Sequence, residues 1–432
     1  MSMMLIALVS LFAVVFLTVP IGIAFGISDL VLFKQFYAGT PMIGMLAQTI
    51  VTSVDSFPLL AIPFFMLVGT LMEKGGIAER LINIANLLTG KMAGGLGSAT
   101  VVACCFFAAI SGSGPATAAA IGGLVILALR QQGYDPGYSG ALIGSASIIG
   151  PVIPPSIPMI MYGVTVSVSV SHLFMGGIVP GIMLGGGLIL WNVFVSKRRR
   201  YKAPDKTYTA REKKDILVGG IPAVLMPIIV LGGIYSGVFT PTECAVVGVV
   251  YALVVSIFIY KTLTWDLIKE ATIEAGVSSA TIMILFGGAN TLGKLLTMQK
   301  IPQLATQGLL SISNNGFIVM LMINIALFII GMFIDTNSSI ILFAPIFAPV
   351  AQAFGYDPLH FGVIMVINLC IGMVTPPMGS NLFIGQRIAG ASFEDTFKET
   401  LPMLAVMYAV LLIVILFPDF TLFFPRLAGY LG

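Results

Sequence analysis

The sequence predicts an all-α polytopic membrane protein built from two inverted structural repeats, each with a re-entrant hairpin and a broken helix. Three observations carry this. Apolar residues make up 58% of the 432 residues and charged residues 9%, with a mean hydropathy of +1.04; a soluble chain of this length needs far more charge to cover its surface. Gly133-Tyr134-Asp135-Pro136 returns as Gly355-Tyr356-Asp357-Pro358, an offset of 222 (355 minus 133). At that same offset Gly150-Pro151-Val152-Ile153-Pro154-Pro155 returns as Gly372-Met373-Val374-Thr375-Pro376-Pro377, Gly140 as Gly362 and Gly163 as Gly385. Halves that share helix-breaking Gly and Pro at matched positions point to a carrier whose site lies between the repeats. A β-barrel would alternate apolar and polar residues, and these runs are apolar all round.

Taken in order, residues 5–26 form a first crossing; the absence of a basic n-region argues against a cleaved signal peptide. Residues 92–130 hold an apolar run, then Ser111-Gly112-Ser113-Gly114-Pro115, then a second apolar run. Residues 315–352 repeat this around Asp335-Thr336-Asn337-Ser338-Ser339. Each reads as a re-entrant hairpin, since non-helical backbone is tolerated at depth when buried in protein or lining a cavity. Two ordinary crossings with an external polar loop are the other reading. Residues 138–170 and 358–390 are each a crossing broken in the middle. Between them lie crossings at 171–196, 216–236, 241–260 and 276–298, with a short amphipathic stretch at 264–275. Five crossings separate Arg130 from Asn315, an odd number, so the second copy is inverted. The repeats divide as 1–215 and 216–432.

Sidedness comes from charge. Lys197, Arg198, Arg199, Arg200, Lys202, Lys206, Arg211, Lys213 and Lys214 share one short mid-chain loop, and positive loops stay in the cytoplasm; a lipid-headgroup patch gives the same sidedness. The net charge of +3 is too weak to suggest a nucleic-acid partner. Cys104, Cys105, Cys244 and Cys370 sit in apolar context without metal-ligand spacing and read as small apolar fillers. His172 and His360 read as loop or helix-end residues.

Polar chemistry concentrates at the two tips and the two breaks. Helix breaks free backbone carbonyls and hydroxyls, and such oxygens suit a hard cation like sodium. Helix C-terminal ends carry partial negative charge, and the N-terminal ends that follow attract carboxylates. Ser and Thr can instead bond back to their own helix, and Pro-Pro can simply kink. Asp335 replaces Ser113 at the 222 offset, so the two sites differ. A carboxylate at mid-depth costs several kcal/mol unless compensated, which suggests a sodium ligand or a proton-linked group; a helix N-cap is the alternative, and both can hold together. Asp135 and Asp357 read as turn residues. Arg387, about ten residues or roughly 15 Å past the second break, marks a cytoplasmic helix end.

At Ser111-Gly112-Ser113-Gly114-Pro115-Ala116-Thr117-Ala118, Gly150 to Ser156, Asp335-Thr336-Asn337-Ser338 and Thr375-Pro376-Pro377-Met378-Gly379-Ser380-Asn381 the chain resembles the large membrane (M) subunit of tripartite ATP-independent periplasmic (TRAP) transporters. The tips and breaks are also similar to those of sodium-coupled dicarboxylate carriers, which share the elevator architecture. The resemblance implies import of an organic acid, such as a C4-dicarboxylate or sialic acid, across the bacterial inner membrane on a sodium gradient. It implies a periplasmic substrate-binding protein and a small four-helix membrane subunit, expected to be separate because this chain starts at the large subunit's first helix. It also implies sodium ligands at Ser111, Ser113, Gly150 and Ser156, and at Asp335, Thr336 and Thr375. Substrate contacts are implied at Ser113, Pro154, Ser156, Thr336, Pro376 and Asn381. A stand-alone sodium–dicarboxylate symporter is the alternative.

An enzyme is not expected: there is no His-Glu-x-x-His, and neither tip serine sits in a nucleophile motif. A channel would favour rings of identical subunits around a pore over an internal inverted repeat.

Overall fold

The computed structural model describes residues 6, 9–11, 13, 14, 17, 19–36, 43–90, 92–201 and 209–431, and among them no strand occurs. The first copy runs α1 (Ile21–Phe36), α2 (Ile43–Val54), α3 (Ala61–Lys74), α4 (Ile77–Thr89), α5 (Gly95–Ser111), α6 (Gly114–Gln131), α7 (Pro136–Ser147), α8 (Ile157–Val166) and α9 (Val170–Arg199). The second runs α10 (Ala210–Tyr235), α11 (Pro241–Val254), α12 (Trp265–Met298), α13 (Ile301–Leu310), α14 (Gly316–Phe333), α15 (Thr336–Ala353), α16 (Pro358–Gly372), α17 (Ser380–Ala389), α18 (Phe393–Leu416) and α19 (Asp419–Leu427). Nine of the helical stretches among the described residues are long and apolar enough to cross a membrane.

The repeat reaches much further than its sequence motifs. Shifted by 222, α5 to α8 become 317–333, 336–353, 358–369 and 379–388, within three residues of the bounds of α14 to α17. The same shift lays α1 on α11, α4 on α13 and α9 on α18. One asymmetry has a plain cause. α2 and α3 are separate, whereas their counterpart α12 is continuous over 34 residues. Pro58 follows the break in the first copy, and position 280, its counterpart, is Ala; a mid-helix proline removes an N–H and clashes with the preceding turn. The amphipathic stretch expected at 264–275 is therefore the first part of α12 and not a separate element. The crossing expected at 5–26 is likewise corrected: Val19 and Pro20 are non-helical and α1 begins after them, while much of what precedes lies outside the described residues. The division at 215/216 falls inside α10.

Local chemistry sets the joints. α5 ends on Gly112 at φ +59°, and α6 starts on Ser113 with Pro115 in its first turn. Gly133 and Gly355, at φ +80° and +85°, close the second hairpin arms; a positive φ carries no steric cost for glycine. Asp135 and Asp357 then cap α7 and α16, so Gly-Tyr-Asp-Pro is a helix stop joined to a helix start. Lys197, Arg198 and Arg199 lie in the last turn of α9, where cations oppose the dipole's negative end. Arg211, Lys213 and Lys214 lie on α10. The expected basic loop is thus mostly two helix ends, and Lys202 and Lys206 lie outside the described residues.

Two cores form. The larger joins both hairpins and both broken crossings to α9 and α18, and reaches Phe25 of α1, Phe65 of α3, Val230 of α10, Cys244 of α11 and Phe286 of α12. The smaller gathers Val68, Leu71, Met72, Ala223, Met226, Ala252 and Ala271 from α3, α10, α11 and α12. All four cysteines are free, with Cys104, Cys244 and Cys370 buried and Cys105 half-buried. His360, in the first turn of α16, meets a partner that the sequence did not suggest: its Nδ1 lies 2.7 Å from Thr421 Oγ1.

Candidate functional site

The tips and breaks of both copies meet in one place. A cavity of about 290 Å³ is lined by Ser113, Gly114 and Pro115 of the first tip and Asp335, Thr336 and Asn337 of the second. Pro151, Ile157 and Pro158 from the first break and Met373 and Ser380 from the second complete that side. Met66 on α3 and Ile282 and Leu285 on α12 close it with apolar surface. This decides the hairpin question. Arms of 17 or 18 residues reach about 26 Å, so length alone would let them cross. With five crossings between them, however, external tips would lie on opposite faces of the bilayer and could not share a cavity.

Four helices begin at this cavity: α6 at Gly114, α8 at Ile157, α15 at Thr336 and α17 at Ser380. Among the described residues no Lys, Arg or His lines it. Unpaired N–H groups and the positive dipole ends therefore supply its attraction for an anion. The starts differ in their caps. Ser113 Oγ accepts weakly from Ala116 N at 3.5 Å, and Ser156 Oγ accepts from Met159 N at 3.2 Å. Asp335 Oδ1 accepts from Asn337 N and Ser338 N at 3.0 and 3.1 Å, and Oδ2 accepts from the Ser338 hydroxyl. Asp335 is thus the cap of α15, and it also faces the cavity. α17 follows Gly379 and has no side-chain cap.

Behind the first tip lies a nest of oxygens. A methyl placed on Gly150 would stand 2.8 Å from Thr117 Oγ1, 2.9 Å from Ser113 O and 3.0 Å from Ser147 O. The Thr117 hydroxyl donates to Ser113 O at 2.7 Å and lies 3.1 Å from Ser111 Oγ. These groups come from a hairpin tip and a helix C-terminal end, and hydroxyl and carbonyl oxygens suit a hard monovalent cation better than a transition metal. Among the described residues no cluster of three His, Cys, Asp or Glu side chains could hold a metal.

The expected residues are distributed as follows. Ser113, Asp335 and Thr336 line the cavity. Ser111 and Gly150 belong to the nest. Ser156, fully buried, donates to Pro151 O and holds the break closed. Thr375 donates to Ile371 O of its own helix at 3.1 Å. Asn381 sits at the seam between copies: its Nδ2 donates to Ser147 Oγ at 2.7 Å, and a methyl on Gly114 would come within 2.6 Å of it. Pro154 is buried and Pro376 half-buried, and neither lines the cavity. Sequence reasoning missed Thr117 and Ser147 as nest members. Their positions, one helical turn past Ser113 and just before Gly150, were the available signal.

A membrane chain whose described residues form helices and no strands, with a duplicated tip-and-break site, has the build of a secondary carrier. The chain belongs to the tripartite ATP-independent periplasmic transporter family, DctM component, whose family model matches residues 8–420. It is 41% identical over 409 residues to the isethionate TRAP transporter permease protein DctMQ of Oleidesulfovibrio alaskensis, covering 95% of this chain and 64% of that protein. It is 38% identical over 389 residues to the sialic acid TRAP transporter large permease protein SiaM of Vibrio cholerae, covering 90% of this chain and 91% of SiaM. The C4-dicarboxylate TRAP transporter large permease protein DctM of Pseudomonas aeruginosa is 37% identical over 384 residues, with 89% and 90% covered. In fold it is similar to the Alcanivorax borkumensis YdaH transporter, with a TM-score of 0.61 at 14% identity over 88% of this chain and 89% of that one. The protein is a multi-pass permease of the inner membrane.

Proposed function

We propose that this chain imports an organic acid together with sodium. One observation carries the reading: an oxygen nest at Gly150 stands directly behind a cavity where four helix N-termini converge with no cationic side chain among the described residues. Sodium in the nest would tie the first tip to the first break and so order the α6 and α8 starts that receive the acid. Coupling follows if the sodium-free site binds the acid poorly, because only differential affinity biases a cycle.

The relatives' names span isethionate, sialic acid and C4-dicarboxylates, so an organic anion delivered by a periplasmic binding protein, with a small membrane subunit beside this one, is the parsimonious assembly. The hairpins and broken crossings, whose tips and breaks line the cavity, form the moving block of an elevator, and α10 and α11, which contribute nothing to the cavity lining among the described residues, belong to its frame.

The test is uptake into proteoliposomes holding the chain, its small partner and the binding protein. Uptake is expected to saturate, to need an inward sodium gradient and to stop when potassium replaces sodium. Uptake indifferent to sodium sinks the coupling. Thr117→Val removes one nest oxygen at constant shape and is expected to raise the sodium concentration for half-maximal uptake about tenfold.

A further inference from the structure

We infer that a niche between α14, α16 and α18, separate from the cavity at the tips, binds an apolar molecule of the bilayer that carries a hydroxyl group. The niche has a volume of about 270 Å³. Its walls include Leu321 and Phe328 of α14 and Leu412 and Ile415 of α18, and Asn324, Asn368 and Tyr408 add polar groups. Among the described residues it shares none with the cavity at the tips.

The niche lies at the depth of lipid chains. Asn324 stands eight residues into α14 (324 minus 316), and Tyr408 stands eight before the end of α18 (416 minus 408), about 12 Å along either helix. Both helices are long and apolar enough to cross a membrane, whose hydrocarbon core is about 30 Å thick. Ile325 and Leu412, which also line the niche, are 61% and 41% exposed, so its mouth opens on the bilayer.

Its polar groups are incompletely paired. Asn368 is fully buried and donates through Nδ2 to Asn324 O at 2.8 Å and to Asn324 Oδ1 at 2.6 Å. Both partners are acceptors, because Asn324 Nδ2 itself donates to Met320 O at 2.9 Å. That fixes the orientation of the Asn368 amide and leaves its Oδ1 with no hydrogen-bond partner among the described residues. The buried Tyr408 hydroxyl also lacks a partner among them, while its ring meets Phe328 edge-on with centroids 5.3 Å apart. Polar atoms left unpaired in hydrocarbon are costly, and the shared architecture does not demand them. At the 222 offset the first copy has Val102, Ala146 and Gly186 in place of Asn324, Asn368 and Tyr408. A carbonyl and a phenol are both served by a group that donates to one and accepts from the other, and a hydroxyl is the smallest neutral group that does so. An alkane or an ester cannot donate to Asn368 Oδ1. A carboxylate would meet that carbonyl with no cation among the described lining residues.

The test uses the full chain in nanodiscs, photolabelled with 3-azioctanol, whose diazirine marks the residues beside it. Peptides of α14 and α18 are expected to carry the label. 1-Octanol is expected to compete it away saturably, whereas octane and methyl octanoate do not. Tyr408→Phe keeps the ring, should leave the unfolding midpoint unchanged, and is expected to raise the 1-octanol concentration for half-competition about fivefold. Octane competing as well as 1-octanol reduces the niche to a groove for any acyl chain and overturns the inference. So does the absence of saturable label on α14 and α18, which leaves water as the partner of the polar atoms. Unchanged competition in Tyr408→Phe overturns the seat of the hydroxyl on Tyr408.

Discussion

Gly150→Ala is expected to abolish sodium-driven uptake while the protein remains folded. The added methyl would stand 2.8 to 3.0 Å from Thr117 Oγ1, Ser113 O and Ser147 O, too close to be accommodated without pushing the first break away from the tip and so spreading the oxygens of the nest. Two of those oxygens are main-chain carbonyls at a hairpin tip and a helix end, so neither can swing away. Overpacking of this kind costs about 1–3 kcal/mol, tolerable for a chain whose larger core joins both hairpins to the broken crossings. The check is paired: a thermal unfolding midpoint with and without sodium, and uptake in proteoliposomes. The variant should lose both the uptake and any sodium-induced rise in the midpoint. Retention of a sodium-induced rise would falsify the nest as the cation site.

Gly385→Val should cost the fold itself. α7 and α17 cross through glycines: a methyl on Gly385 would run into Gly140 O and stand 3.0 Å from Gly144 N, and one on Gly140 would stand 3.1 Å from Gly385 O. Membrane helices gain from such close backbone approach because small residues let the two surfaces meet. A valine there forces the broken crossings of the two copies apart. Asn381 lies one turn earlier on α17, and its bond to Ser147 would be lost with them. A destabilisation of about 3 kcal/mol or more is expected, read as a lower unfolding midpoint and a loss of monodisperse protein in detergent. Gly219→Val, on α10 with open space around its Cα, is the control and should leave both unchanged.

Much of this was legible in one dimension because the 222 offset preserves the residues that act through their own backbone. Gly133 and Gly355 stop helices, Asp135 and Asp357 start them, and Pro58 splits a span that Ala280 leaves whole. What was less legible depends on partners distant in sequence. Thr117 is an unremarkable helix hydroxyl until Gly150 is placed against it, and Ser147 acquires its meaning from Asn381, 234 residues away. The double role of Asp335 could be stated as two alternatives. The structure shows it as a cap that also faces the cavity.

Composition and the doubled punctuation by themselves determined the solvent, the helical class and the positions of the four interruptions, because bilayer insertion and helix termination are governed by each residue and its nearest neighbours. Tertiary structure alone decided that the interruptions converge, that one copy forms an oxygen nest, and that the other contributes a carboxylate to the cavity wall. Those outcomes depend on how helices cross in three dimensions, where the absence of a single Cβ at Gly140, Gly150 or Gly385 sets which groups can touch.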